Sequence, residues 1–322
     1  MKRLQNRIAE SRFALITTSF LCAPIWMLAA LVNIDNIVSV AVSATCISLA
    51  TLLMAEVNNA NSLIRIYSRM VSCIFLILMT ITTYPYSSPG VALTALSVAW
   101  FYYCAFGCYQ DTQRTALTFM AFTALGVCSL FFVQSLYFLP LLWCLYIVKL
   151  LAFSSRMFCA SIYGILTPYW LLTPYILWKG DFNGIVTHFT ALATYEQPLG
   201  AFFQWEPYQI VNTSLILLCA IIGIIHYLRT RQLDRIRTQL LYEFFIYVDF
   251  FAIVFLILQP QHYKYLLPII IGNTAPLIGH FIALTETRWT NILTKLLLLL
   301  SIGVVMYNIF THSNPLINGI HI

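Results

Sequence analysis

One aspartate inside an apolar segment is the residue with the clearest potential for chemistry. Asp249 falls about two turns within the otherwise apolar segment 244–258, and Glu243 precedes it at the segment boundary. An ionisable side chain at that depth is costly in lipid, so by default it marks a pathway, a proton relay or a buried partner. We expect Asp249 and Glu243 to line a relay or cavity. A helix that starts later would instead leave Asp249 near the membrane interface.

A second group combines amides and guanidinium groups in the stretch 56–69. Asn58 and Asn61 precede Arg65 and Arg69, whose spacing corresponds to one helical turn. Two guanidinium groups on one helical face are able to hold a phosphate or a pyrophosphate. The pattern therefore predicts an anion-binding site. The alternative is a cytoplasmic loop whose arginines contact lipid headgroups.

A third group surrounds Asp234 with four arginines in the stretch 229–237. Such a basic stretch is suited to anionic lipid or to a protein partner. The alternative, which the positive-inside pattern favours, is a plain topology anchor.

Carboxylates and a histidine also fall in connections that we assign below to the outer face. Such groups supply acid/base chemistry, although loops also carry them for solvation alone. The candidate catalytic residues are Asp35, Asp181, His188 and Glu196.

No cofactor or metal is expected. The nine cysteines include no C-x-x-C pair, and the histidines have no metal-ligand spacing. The sequence also lacks a P-loop, a G-x-S-x-G elbow and a dinucleotide fingerprint, which excludes a self-contained ATP-driven machine.

The composition indicates which elements position these residues. The chain has 322 residues, of which 61% are hydrophobic and only 9% charged, whereas soluble domains carry about 25% charged residues. A bilayer is the solvent that fits, and no nucleic-acid partner is expected. The basic start is followed by an apolar run over 13–32, which is long for a signal peptide and predicts a retained first transmembrane helix.

Continuous apolar runs predict an all-α, polytopic helix bundle rather than a β-barrel. The chain shows no linker or repeat, so we expect one membrane domain over 1–322. About eleven spans are expected, at 13–32, 37–55, 70–84, 91–107, 115–134, 137–153, 157–178, 209–228, 244–258, 265–283 and 291–309.

Basic residues predict the orientation. With the N-terminus in the cytoplasm, fifteen lysines and arginines fall inside and only Lys179 and Lys264 fall outside. The C-terminus is then outside. The longest connection, about 179–209, lies on the outer face. It is rich in aromatic residues, which is typical of an interfacial or re-entrant segment.

Prolines are concentrated in two spans. Thr-Pro-Tyr occurs twice within 167–175, and Pro260, Pro268 and Pro276 follow in a later span. Because proline frees a carbonyl one turn back, this pattern predicts kinked or broken helices around a cavity, as in transporters. Proline kinks that serve no transport are the alternative.

Two resemblances concern family. The stretch Glu56-Val-Asn-Asn-Ala-Asn-Ser-Leu-Ile-Arg and the segment Leu166-Thr-Pro-Tyr-Trp resemble an uncharacterised family of polytopic bacterial inner-membrane proteins, over most of the chain. More distantly, the span number and Asp35 in the first outer loop are similar to multi-span polyprenyl-phosphate-sugar-dependent glycosyltransferases. The loop 33–36 departs from that class, whose first outer loop is long.

Two functions follow as hypotheses. The first is a non-enzymatic inner-membrane component of envelope biogenesis, either transporter-like or an assembly partner, in which Asp249 acts in a relay. The second is an enzyme acting on a lipid-linked substrate at the outer face through Asp35 or the loop containing His188. The expected partners are membrane lipids, anionic or polyprenyl, and proteins of the same membrane.

Overall fold

The computed structural model describes residues 8–32, 36–82, 88–180, 182–195, 205–285 and 287–312. Within these ranges the regular structure is helical, without a strand. The helices are α1 (Ala14–Val32), α2 (Ile37–Asn61), α3 (Met70–Ile81), α4 (Pro89–Phe106), α5 (Thr115–Phe131), α6 (Leu139–Val148), α7 (Ser155–Lys179), α8 (Phe182–Thr190), α9 (Pro207–Thr230), α10 (Ile236–Leu258), α11 (Tyr263–Leu284) and α12 (Arg288–His312).

The all-α class is thereby confirmed for the described part of the chain. Within the described ranges, seven helices are long and apolar enough to cross a membrane, namely α1, α2, α4, α9, α10, α11 and α12. Three shorter apolar helical segments accompany them: α3, α5, and α6 with the 3₁₀ turn before it. This pattern is that of a multi-pass helical membrane protein.

Local signals determine several helix boundaries. Glu206 and Gln209 form a capping box at the start of α9, so two backbone N–H groups that lack helical partners are satisfied. The Ser154 side chain accepts a hydrogen bond from the Met157 N–H and begins α7. Gly180 ends α7 in the left-handed region, at φ 67°, where glycine carries no steric penalty.

Helix α11 lies at the centre of the bundle, since every residue from Leu266 to Phe281 is buried. It packs against α3, α4, α9 and α10. Small residues allow these close approaches: a Cβ atom on Gly272 would lie 2.8 Å from the Val98 side chain, and one on Gly279 would lie 3.2 Å from Val71. Close backbone contact through small residues is a common means of helix association in membranes.

The proline-rich helices differ from the prediction of broken spans. Helix α7 continues through Pro168 and Pro174, and α11 continues through Pro268 and Pro276. Pro268 and Pro276 are buried, so neighbouring helices surround the carbonyls that they free, whereas Pro174 of α7 is exposed. The cavity beside α4 and α11, which Tyr102 and Ile269 help to line, has a volume of about 40 Å³. This volume is the size of about one to three waters at most, and the lining is almost entirely apolar.

Several connections meet at one end of the bundle. The Gln110 N–H donates to the Leu150 carbonyl, which joins the connections 107–114 and 149–154. Glu243 pairs with Lys149 and Arg231, and Arg65 pairs with Asp234. We call this end, formed by the connections 62–69, 107–114, 149–154 and 231–235, the basic end.

Candidate functional site

Asp249 lies deep in α10 and is fully buried, with 0% of its surface exposed. Helix α10 begins at Ile236, eight residues before the predicted start, so Asp249 is about 20 Å from its first residue at 1.5 Å per residue. The alternative that places Asp249 near a late helix start is therefore wrong. Asp249 is thus a buried ionisable residue, as the sequence predicts.

Few hydrogen bonds stabilise the buried carboxylate of Asp249. Its Oδ2 accepts a long hydrogen bond of 3.5 Å from the Thr274 hydroxyl on α11. Its Oδ1 has no hydrogen-bond partner among the described residues. One position before Thr274, the Asn273 side chain accepts a hydrogen bond from the Tyr102 hydroxyl. The carboxylate thus lies beside a polar pair within an otherwise apolar interior.

A second buried carboxylate is Asp234, at the basic end. Its side chain is 0% exposed and pairs with His280, where Nε2 lies 3.0 Å from Oδ2. Because a carboxylate only accepts, His280 Nε2 carries the proton. Arg65 Nε lies 2.9 Å from Asp234 Oδ1, and this guanidinium is 38% exposed. The contact between Arg65 and Asp234 is therefore an ion pair and not a hydrogen bond, because Asp234 Oδ1 accepts no hydrogen bond among the described residues.

Aromatic groups continue this cluster toward the interior. The Tyr242 ring lies 5.0 Å from the His280 ring, and the His226 ring lies 5.4 Å from it, measured between centroids. Three polar atoms here lack a hydrogen-bond partner within the described ranges: His280 Nδ1, His226 Nε2 and the Tyr242 hydroxyl. Tyr242 precedes Asp249 by seven residues, about two turns along the same face of α10.

Glu243 is placed apart from Asp249. It contacts Lys149, and Arg231 Nη1 lies 3.4 Å from its other oxygen. Glu243 is thus neutralised by two cations at the basic end. The sequence prediction placed it with Asp249, but their separation of six residues puts the two side chains on different faces of α10.

The stretch 56–69, which contains Asn58, Asn61, Arg65 and Arg69, does not form the continuous helix that the prediction required. Helix α2 ends where Ser62 adopts a left-handed conformation, φ 48° and ψ 48°. Arg65 and Arg69 therefore follow the helix and do not share a helical face, which corrects the prediction. Asn58 instead holds the connection: its amide donates to the Ser68 carbonyl at 2.8 Å and its oxygen accepts from the Ile64 N–H.

The other members of that stretch also make internal contacts. Arg237 donates to the Asn61 side-chain oxygen at 2.7 Å, and the Arg65 Nη1 donates to the Leu233 carbonyl at 3.3 Å. Arg69 Nε donates to the Tyr67 hydroxyl at 3.2 Å. Two stretches that the sequence suggested separately, 56–69 and 229–237, thus form one polar network.

His188 lies away from the basic end, on α8. It lines a groove of about 440 Å³ between α7 and α8, together with Lys179, Tyr169 and Tyr175. His188 Nε2 lies 3.4 Å from the Tyr169 hydroxyl, which in turn lies 2.7 Å from the Ser129 hydroxyl. Burial lowers the pKa of His188 below its usual value, which favours the neutral imidazole.

Three of the four candidate catalytic residues, Asp35, Asp181 and Glu196, lie outside the described residues. Among the described residues no group of three or more potential ligands is arranged to hold a metal ion.

His280 is the functional candidate that sequence reasoning missed. It follows an apolar run, and its partner Asp234 lies 46 positions away in the sequence. The signal available was Asp234 itself, the single carboxylate among the four arginines of 229–237.

Comparison with protein-family models, curated proteins and solved structures found no match for this chain.

Proposed function

We propose that the chain crosses a bacterial inner membrane eleven times, with the basic end in the cytoplasm. The seven long and three shorter apolar segments, together with α7, supply the eleven crossings. Contacts between distant segments support this topology. If consecutive helices cross the membrane in opposite directions, the helix ends that these contacts join lie on the same side. Asn308, near the end of α12, donates to the Ile81 carbonyl at the end of α3 and to Asn212 at the start of α9.

Within this topology we infer a transporter-like activity in which Asp249 binds and releases a proton. The observation that carries the inference is a fully buried carboxylate in the middle of the bundle with one oxygen unpartnered in the described structure. Such a group is expensive in a membrane protein and marks ion or proton pathways. A static packing role would be filled at lower cost by an apolar residue.

A polar path toward the cytoplasmic side supports the same inference. Arg65 is partly exposed, Asp234 and His280 are buried behind it, and Tyr242 contacts His280. About two helical turns separate Tyr242 from Asp249 on α10. A proton reaching Asp249 from the basic end would pass this cluster, with small rearrangements or waters bridging the remaining gap.

The test uses purified protein in proteoliposomes that contain a trapped pH-sensitive dye. A panel of inorganic ions, amino acids, sugars and nucleosides is applied as gradients, and the internal pH is recorded. We expect at least one solute to change the internal pH, and Asp249→Asn to reduce the rate at least tenfold. Asp111→Asn, which alters an exposed carboxylate at the basic end, is the matched control.

Two results would argue against the proposal. One is a solute-driven pH change that Asp249→Asn leaves intact. The other is the lack of any response across the panel while the reconstituted protein remains folded. Loss of the response in Asp111→Asn as well would indicate a general effect of surface charge rather than a role for Asp249.

One observation favours the enzymatic alternative, namely the groove that His188 lines. A neutral imidazole positioned by Tyr169 is suitable for a general base. Incubation with a polyprenyl-phosphate sugar and an acceptor glycan tests it, with His188→Ala as the comparison. Transfer that is lost in this variant would favour the enzyme over the transporter.

A further inference from the structure

The groove between α7 and α8 has the features of a lipid site. It has a volume of about 440 Å³ and is open along one side. Its walls are largely apolar, with Leu130 from α5, Leu172 and Ile176 from α7, and Ile185 and Phe189 from α8. A cleft lined in this way is suited to an acyl chain, because burial of the chain removes apolar surface from water.

The surroundings of the groove identify lipid as the neighbouring medium. On the remaining surface of α7, Trp170, Leu171 and Trp178 are 81%, 75% and 91% exposed. Large apolar side chains at that exposure require a hydrocarbon environment, and tryptophan is typical of the membrane interface. Helix α8 is short and amphipathic, as expected for a segment that lies in the interface.

The polar groups of the groove are complementary to an anion. Lys179, at the end of α7, is positively charged, and its Nζ lies 4.9 Å from the centre of the Tyr175 ring. His188 presents an imidazole on the opposite wall, anchored through Tyr169 to Ser129. Gly184, in the first turn of α8, also lines the groove, and the N-terminal end of a helix favours negative charge. Cation and apolar walls together match a phosphate group that carries hydrocarbon chains.

We propose that the groove formed by α7 and α8 binds an anionic phospholipid, with Lys179 and His188 at the phosphate and Leu172, Ile176 and Ile185 along an acyl chain. This site is separate from Asp249 and does not depend on the transport activity proposed above. Bound lipid would fix α8 against α7 at the outer interface.

Native mass spectrometry of the protein in mild detergent tests the site directly. The purified protein is titrated with phosphatidylglycerol or with phosphatidylcholine of the same chain length, and the bound lipid is counted. We expect phosphatidylglycerol to bind more tightly. Lys179→Ala should weaken its binding about fivefold, since one lysine near anionic lipid contributes on the order of 1 kcal/mol. Lys264→Ala, which removes the other outer-face lysine, is the control and should have no effect.

A second variant separates the groove from the charge. Thr173 lines the groove and is exposed, so Thr173→Trp fills the groove while the helix stays intact and Lys179 remains. This variant should also lose the bound phosphatidylglycerol. Equal binding of the two lipids, or full binding by both Lys179→Ala and Thr173→Trp, would overturn the proposal. Displacement of the lipid by an excess of inorganic phosphate alone would show a simple anion site and would overturn it as well.

Discussion

Breaking the buried pair between Asp234 and His280 should produce a measurable loss of stability. Both side chains are 0% exposed, and the atoms that join them are 3.0 Å apart. A hydrogen bond to a charged group contributes about 1.5–3 kcal/mol, and a buried group left without its partner adds a desolvation penalty. Arg65 is 38% exposed, so solvent screening limits its pairing with Asp234 to about 1 kcal/mol or less. We therefore expect Asp234→Ala to cost about 2–4 kcal/mol.

A double-mutant cycle isolates the contact itself. Unfolding of the wild type, Asp234→Ala, His280→Ala and the double variant is followed by tryptophan fluorescence in mixed micelles containing dodecyl sulfate. The expected coupling energy is about 1.5–3 kcal/mol. The exposed pair of Asp111 and Arg114, measured in the same way, should show a much smaller coupling energy because solvent screens it. A coupling energy indistinguishable from zero for Asp234 and His280 would refute the inference that this contact stabilises the fold.

Three further predictions concern the fold and its charges. Gly164→Ala should destabilise the protein by about 1–3 kcal/mol, because its Cβ would lie 2.5 Å from a backbone oxygen of α5, whereas Gly303→Ala meets open space within α12 and should be neutral or slightly stabilising in the same unfolding assay. Asn308→Ala should cost about 1–3 kcal/mol by the same measurement, because it removes two buried hydrogen bonds that join α12 to α3 and α9; wild-type stability would contradict those contacts. Hydrogen bonds from the Gln113 N–H and, second, from the Arg114 side chain lower the pKa of Asp111. The ionised Asp111 therefore stabilises the folded state above the ordinary aspartate pKa, and this stabilisation is lost as pH falls through the pKa of Asp111 in the folded state. The melting temperatures of wild type and Asp111→Asn should therefore converge in acid, and a difference that is constant with pH would contradict this cause.

The sequence predicted the helical elements well because lipid imposes a strong pattern. Continuous apolar runs identified α1, α4 and α11 with boundaries that shift by two residues or fewer. The two largest boundary shifts have a physical reason. Helix α2 continues six residues beyond 55 through polar amides, and α10 begins eight residues before 244, because these turns lie at the basic end, where apolarity is not required.

The candidate site was only partly accessible from sequence. Asp249 was identified because an acidic residue in an apolar run is conspicuous. The pairing of Asp234 with His280 and Arg65 was not predicted. These two residues lie 46 and 169 positions from Asp234 in the sequence, and the packing of α11 against its neighbours brings the three together. Hydropathy reports which residues enter the membrane, but it does not report which of the helices become neighbours.

Infrared difference spectroscopy of Asp249 tests the central claim most directly. Spectra of the protein in lipid are recorded while the buffer is changed from alkaline to acidic, and the carboxylic C=O stretching region is compared between wild type and Asp249→Asn. If Asp249 binds and releases a proton, a carboxyl band should appear with the pH change in the wild type and be missing in the variant. Identical difference spectra would show that Asp249 keeps one protonation state throughout, which would contradict its role as the proton-binding residue.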